Sequence, residues 1–232
     1  LDGQLGGHTA LHCCNIDHRQ YLIMESDQYK TIRSPSEGSY KEKGSKFLAV
    51  AIPVSNVDSA MEEIEKIRKQ YHDARHHCYA YRLGPEGEEF RYNDDGEPSG
   101  TAGRPIHGQL LSTDVTDCLV VVTRYFGGTK LGTSGLINAY KTAARNAIES
   151  AGFRIMTLMD SIEIRFPYEM MNDVLRIIKD EGAKIREQEF AEGCYIRVGV
   201  RKRDREKVYS RLSKIHLIDI EQSITGEENR GK

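Results

Sequence analysis

Residues 119–151, LVVVTRYFGGTKLGTSGLINAYKTAARNAIESA, set three conditions in a row on any fold that contains them. An apolar, β-branched run comes first and reads as a strand. Four glycines in the nine residues 127–135 then make a turn, and a helix follows with small and apolar residues on one face. Such an order can bring backbone N–H groups and a helix N-terminus against a phosphate or carboxylate. Glycine permits the close approach, and the helix dipole favours an anion there. The same order also serves as a tight strand-to-helix connection with nothing bound.

Upstream, residues 1–23 have mixed polarity and no period, with His8, His12, Cys13, Cys14 and His18 scattered through them. We expect a disordered extension ahead of Met24. YKTI and then residues 46–54 read as the first two strands, separated by a loop, SPSEGSYKEKGS. Ser55 and Asp58 resemble a capping box, and Val57, Ala60, Met61, Ile64 and Ile67 recur at helical spacing. In RHHCYAYR, period two sets His77, Tyr79 and Tyr81 on one face, expected as exposed aromatic surface, and His76, Cys78 and Ala80 on the other. After GPEGEE and a short strand at 90–92 comes a polar, glycine-rich loop, NDDGEPSGTAGRP, too long for a simple turn. Past the glycine loop, Ile162, Ile164 and Phe166 alternate as a strand, and Met171, Val174, Leu175 and Ile178 form a helical stripe. Strands at 183–190 and 194–200, a helix with Val208, Leu212 and Ile215 inward, and a last strand at 217–221 complete βαββαβ, the order of a ferredoxin-like sandwich. The tail from Gly226 reads as frayed.

With 232 residues the chain has room for two modest domains. Its 33 Lys and Arg against 35 Asp and Glu give a net charge of -2, so any basic surface must be local. Its apolar runs fall short of the roughly 20 residues of a membrane helix, and no segment resembles a secretory signal. Five scattered cysteines without a CxxC pair suit free thiols in a reducing compartment. We therefore expect a soluble cytoplasmic protein without membrane contact or structural zinc.

Known phosphate loops do not account for the glycines. Gly127 and Gly132 have P-loop spacing, but Thr133 stands where that motif has lysine, and no GxGxxG is present. Arg124 and Lys130, with the hydroxyls of Thr129, Thr133 and Ser134, can hold an anion; Arg124 can equally pair with an acidic loop residue. Asp94, Asp95 and Glu97 beside Ser99 and Thr101 suit either a hard cation such as magnesium or a solvated acidic turn. The calcium-loop register fails, with Arg91 at the first ligand position and Ala102 at the last. Ser99 and Ser134 make no GxSxG. Cys78 near His76 offers a weak thiol-nucleophile pattern. The run Arg201-Lys202-Arg203-Asp204-Arg205 is a local basic patch or a solvated helix start.

CYAY (78–81), DDGEPSGTAGRPI (94–106) and VVVTRYFGGTKLG (120–132), followed by a small-residue helix and βαββαβ, closely resemble the YigZ/IMPACT family over residues 27–223. The resemblance implies an α+β chain of two domains. The N-terminal domain would be like the second domain of a small-subunit ribosomal protein, with a left-handed crossover, and the C-terminal one like the ferredoxin-like domains of elongation factor G. Eukaryotic members regulate translation initiation under amino-acid starvation; the resemblance does not extend to their extra N-terminal partner-binding domain, so their partner is not expected to carry over. His77 replaces an asparagine common before CYAY, and Thr133-Ser134 replace a further glycine, which implies a stiffer loop.

We divide the chain into an extension (1–23), an IMPACT-type domain (24–155), a ferredoxin-like domain (156–225) and a tail (226–232). The expected function is non-enzymatic binding of RNA or the ribosome to modulate translation, without a cofactor. Phosphate contacts are expected from Arg124, Gly127, Gly128, Lys130, Gly132 and Ser134, assisted by Arg104 and by Arg201, Lys202 and Arg203. A joint site would add Asp94, Asp95, Gly96, Glu97, Ser99, Gly100 and Thr101. One alternative is a magnesium-assisted enzyme acting on a phosphorylated small molecule or nucleotide, with both loops facing one pocket. Another is a protein-interaction adaptor using the ferredoxin-like sheet.

Overall fold

The computed structural model describes residues 27–191 and 193–228, with side chains as far as residue 221. The expected extension at 1–23, with its His and Cys residues, and the tail residues 229–232 lie outside the described residues. In chain order the elements are β1 (Gln28–Ile32), β2 (Ser36–Glu42), β3 (Ser45–Pro53), α1 (Val57–Gln70), β4 (His76–Leu83), β5 (Glu89–Asn93), α2 (Gly103–Ser112), β6 (Cys118–Tyr125) and α3 (Gly132–Ser150). Then follow β7 (Phe153–Phe166), α4 (Met171–Asp180), β8 (Lys184–Phe190), β9 (Cys194–Arg201), α5 (Arg205–Leu212) and β10 (Asp219–Glu228). The chain is α+β, with two sheets and five helices.

The first sheet runs β2-β3-β6-β4-β5, antiparallel throughout. Its central strand, β6, is apolar without interruption from Cys118 to Val122 because both of its faces are covered there. Leu119 and Val121 pack with Tyr79, Tyr81 and the Ala60, Ile64 and Ile67 side of α1. Val120 and Val122 pack with Cys78, Ala80, Phe47 and the inner faces of α2 and α3. The aromatic row of β4, expected at the surface, is therefore core: Tyr79 and Tyr81 are buried under α1. The α1 start differs by one residue from expectation. Asn56 is the N-cap, accepting from Ser59 N at 2.8 Å, and Ser59 Oγ accepts from Asn56 N in return.

Two elements fall in stretches expected as loop. SEGSYKE forms β2, on which α3 lies so closely that a Cβ at Gly38 would come 2.3 Å from Ala147 N. The end of the acidic loop opens into α2, which buries Ile106 and Leu110.

The second sheet has the order β10-β7-β9-β8, the arrangement that βαββαβ takes in a ferredoxin-like sandwich. Val174, Ile177 and Ile178 of α4 and Val208 and Leu212 of α5 pack on it. Leu175, expected inward, is exposed, and Ile177 takes the inward position. The last strand continues past the expected end at 221, pairing with β7 through Glu228. β1 does not join β3: it pairs with the first five residues of β7, Phe153 to Thr157, so one long strand serves both halves.

Candidate functional site

The loop between β5 and α2 is built inward. Asp94 Oδ1 accepts from Ala102 N at 3.0 Å and Gly103 N at 2.8 Å, and its Oδ2 accepts from Gly100 N at 2.8 Å. It thus caps α2, whose own N-cap, Ala102, has no side chain able to do so. Asp95 accepts from His77 N at 2.7 Å and from Arg68 Nη2 at 3.1 Å, while its carbonyl meets His76 Nδ1 at 2.8 Å. Thr101 is buried, donating from Oγ1 to the Pro98 carbonyl, whereas Gly96 and Ser99 are exposed.

Glu97 points into the core. Its Oε1 accepts from Arg124 Nη1 at 2.6 Å and from the Tyr140 hydroxyl at 2.8 Å, and the Glu97 and Arg124 side chains are only 3 % and 8 % exposed. The Cys78 sulfur lies 3.3 Å from the Tyr140 hydroxyl and 3.0 Å from the Asp94 carbonyl. Burial pushes the Tyr140 phenol and the Cys78 thiol far above their ordinary pKa values, so both remain protonated donors. The Cys78 sulfur is thereby an unreactive core thiol. The Arg124 guanidinium lies 5.5 Å from the ring centre of Phe47 and 5.6 Å from that of Phe126.

The two motif loops are therefore side by side, joined by Glu97 and Arg124, but the three carboxylates serve protein groups rather than a shared pocket. Among the described residues no group of three His, Cys, Asp or Glu side chains is placed to hold a metal ion. Arg124, expected to contact phosphate, spends its charge on Glu97.

The exposed side of this junction belongs to the glycine loop. Gly127 packs against the β2–β3 turn; a Cβ there would sit 1.9 Å from the Gly44 carbonyl carbon, and Gly127 N donates to Ser45 Oγ at 3.1 Å. Gly128, Thr129, Lys130, Gly132, Thr133 and Ser134 are exposed. α3 begins here without a side-chain cap and without an acidic residue in its first turn, leaving N–H groups open to an anion. The turn docked on Gly127 carries Lys43 at its tip and Lys41 and Lys46 opposite one another in the β2–β3 register. Lys41, Lys43, Lys46 and Lys130 are exposed and make no ion pair among the described residues. The three hairpin lysines were missed because KEKGS read as loop and Lys46 only as the start of the next strand; a strand pair with a lysine-rich tip was the signal available.

The other expected contacts lie elsewhere. Arg104 is exposed on α2. Arg201 is bound in fork geometry to Asp27, at 3.0 Å and 2.8 Å. Arg203 lies 3.6 Å from Asp204, and Arg205 pairs with Asp160 and Glu206, so the 201–205 run is largely neutralised within the protein, with Lys202 exposed. Among the described residues no helix is long and apolar enough to cross a membrane.

Comparison with known proteins places these motifs in a lineage. The sequence matches the Impact N-terminal domain family over residues 43–148. It is 34% identical over 164 residues to the IMPACT family member YvyE of Bacillus subtilis, covering 71% of this chain and 76% of that protein. It is 30% identical over 160 residues to the IMPACT family member YigZ of Escherichia coli, covering 68% and 78%. Among solved structures, a crystal structure described as that of a hypothetical protein superposes with a TM-score of 0.63 at 26% identity, covering 87% of this chain and 99% of that one.

Proposed function

The chain belongs to the IMPACT family, and from that premise we propose that it is a non-catalytic cytoplasmic protein that binds RNA, free or in the ribosome, and so modulates translation. The observation that carries the reading is the exposed glycine loop with its surrounding lysines. Lys130 and Lys43 flank a backbone whose N–H groups and helix N-terminus favour phosphate, and among the described residues no carboxylate pairs with them. Ser134 and the amides of Gly128 and Gly132 add hydrogen-bond donors. Arg124, locked to Glu97, holds the loop in place. Lys202 and Arg104 lie outside this set of contacts.

Binding of a fluorescent RNA, followed by anisotropy across a salt series, tests it. Affinity should fall steeply as salt rises, and Lys130→Ala and Lys43→Ala should each weaken binding and lower the slope of log K against log salt by about 1. Absence of binding at about 50 mM salt, or a slope unchanged in both variants, overturns the proposal.

A further inference from the structure

We infer that the RNA taken by this face is single-stranded, with one unstacked base lying on the ring of Phe126; this rests on the RNA-binding reading above. Phe126 is 59% exposed, at the residue following β6 and beyond the last pair of the β3–β6 register, Lys46 with Tyr125. It is held from behind. The Arg124 guanidinium lies 5.6 Å from its ring centre and 5.5 Å from that of Phe47, the residue opposite Arg124 on β3, and Tyr140 meets Phe47 edge-on at 5.0 Å. This cluster is anchored by the buried Glu97–Arg124 pair.

A large apolar ring exposed to water is an unfavourable surface feature, and here the buried Arg124 cation, itself packed by Phe47, lies against it. Its outward face suits another flat π system. Gly127 and Gly128 come directly after it in the chain, so a strand whose phosphate sits on the glycine loop has its base within reach of the ring. In a duplex the base faces are already stacked on one another, and the A-form major groove is too narrow for side chains to read. A ring of this kind therefore engages unstacked bases.

The full chain should be titrated with an oligouridine of about 12 nucleotides and with an RNA duplex of about the same length. The single strand should bind more tightly. Phe126→Ala, at an exposed position, should weaken it roughly 5- to 150-fold without changing the salt slope, in contrast to Lys130→Ala. Phe126→Trp should retain binding and, because the chain has no tryptophan of its own, report stacking as quenched indole fluorescence. Equal affinity for the two probes, with Phe126→Ala unchanged and no quenching in Phe126→Trp, overturns the inference while the RNA-binding reading stands. Failure of both probes to bind overturns both.

Discussion

Glu97 is the residue on which the two motif loops depend, since it alone receives both the Arg124 guanidinium and the Tyr140 hydroxyl. Replacing it with glutamine keeps the shape and removes the charge, leaving Arg124 a buried cation without a counterion. Breaking a buried pair from one side costs roughly 3–5 kcal/mol, so Glu97→Gln should lower unfolding free energy by about that amount in urea. Tyr140→Phe, which loses the neutral hydroxyl's bonds to Glu97 and to the Cys78 sulfur, should cost about 1–3 kcal/mol. A Glu97→Gln loss no larger than that of Tyr140→Phe would show the pair to be dispensable. The sequence already offered the pairing as an alternative for Arg124, but it could not choose. In a half-buried strand, alternation would have assigned Arg124 inward with Val120 and Val122; in β6 both faces are core, so period two carries no inside or outside information. Phe126 escaped notice for the same reason: nothing local distinguishes an exposed ring from a core one.

At the scale of elements, β2 shows where local reading loses its signal. SEGSYKE is polar, contains glycine and alternates only between half-buried and exposed, since one face carries α3 and its outer edge is solvent. Gly38 marks the contact. Ser36 Oγ donates to the Ala147 carbonyl at 2.6 Å and Asn146 Nδ2 to the Ser39 carbonyl at 3.0 Å, so strand and helix backbones are hydrogen-bonded through side chains. Gly38→Ala would put a methyl 2.3 Å from Ala147 N and 2.9 Å from the Ala143 carbonyl, and backbone cannot rotate away. It should destabilise by roughly 1–3 kcal/mol. Gly108 is the control: within α2, with nothing in reach of an added methyl, Gly108→Ala should stabilise by about 0.5–1 kcal/mol. Chemical denaturation of both variants checks the pair, and two shifts of the same sign would refute the packing argument. The α4 stripe was legible in kind, with Val174 and Ile178 inward, and missed only the choice between Leu175 and Ile177.

The assembly of the whole molecule was least legible, because it rests on contacts between residues far apart in sequence. The βαββαβ order could be read from periodicity; that β1 would leave its neighbours and pair with β7 could not, since short apolar strands carry no address. The joint is closed by Asp27, just before β1, and Arg201, at the end of β9, a pair 174 residues apart. Burial works to raise the Asp27 pKa, but the Arg201 hydrogen bonds and the charges of Arg201 and Arg203 outweigh it, and the carboxyl sits below its ordinary value of 3.8. A carboxyl whose folded pKa is depressed adds stability that is fully present above the unfolded pKa and disappears as pH falls through the folded one. The stabilisation should therefore be constant above about pH 5 and decline below about pH 4. Asp27→Asn should be less stable than the parent chain at neutral pH, and the gap in denaturation midpoint should close on acidification. Hydrogen exchange should locate the difference in the β1 amides and the Phe153–Thr157 stretch of β7, because these are the ladder that the pair secures. A gap that stays constant down to pH 3, or protection lost evenly over both sheets, would remove Asp27 as the tie between the halves.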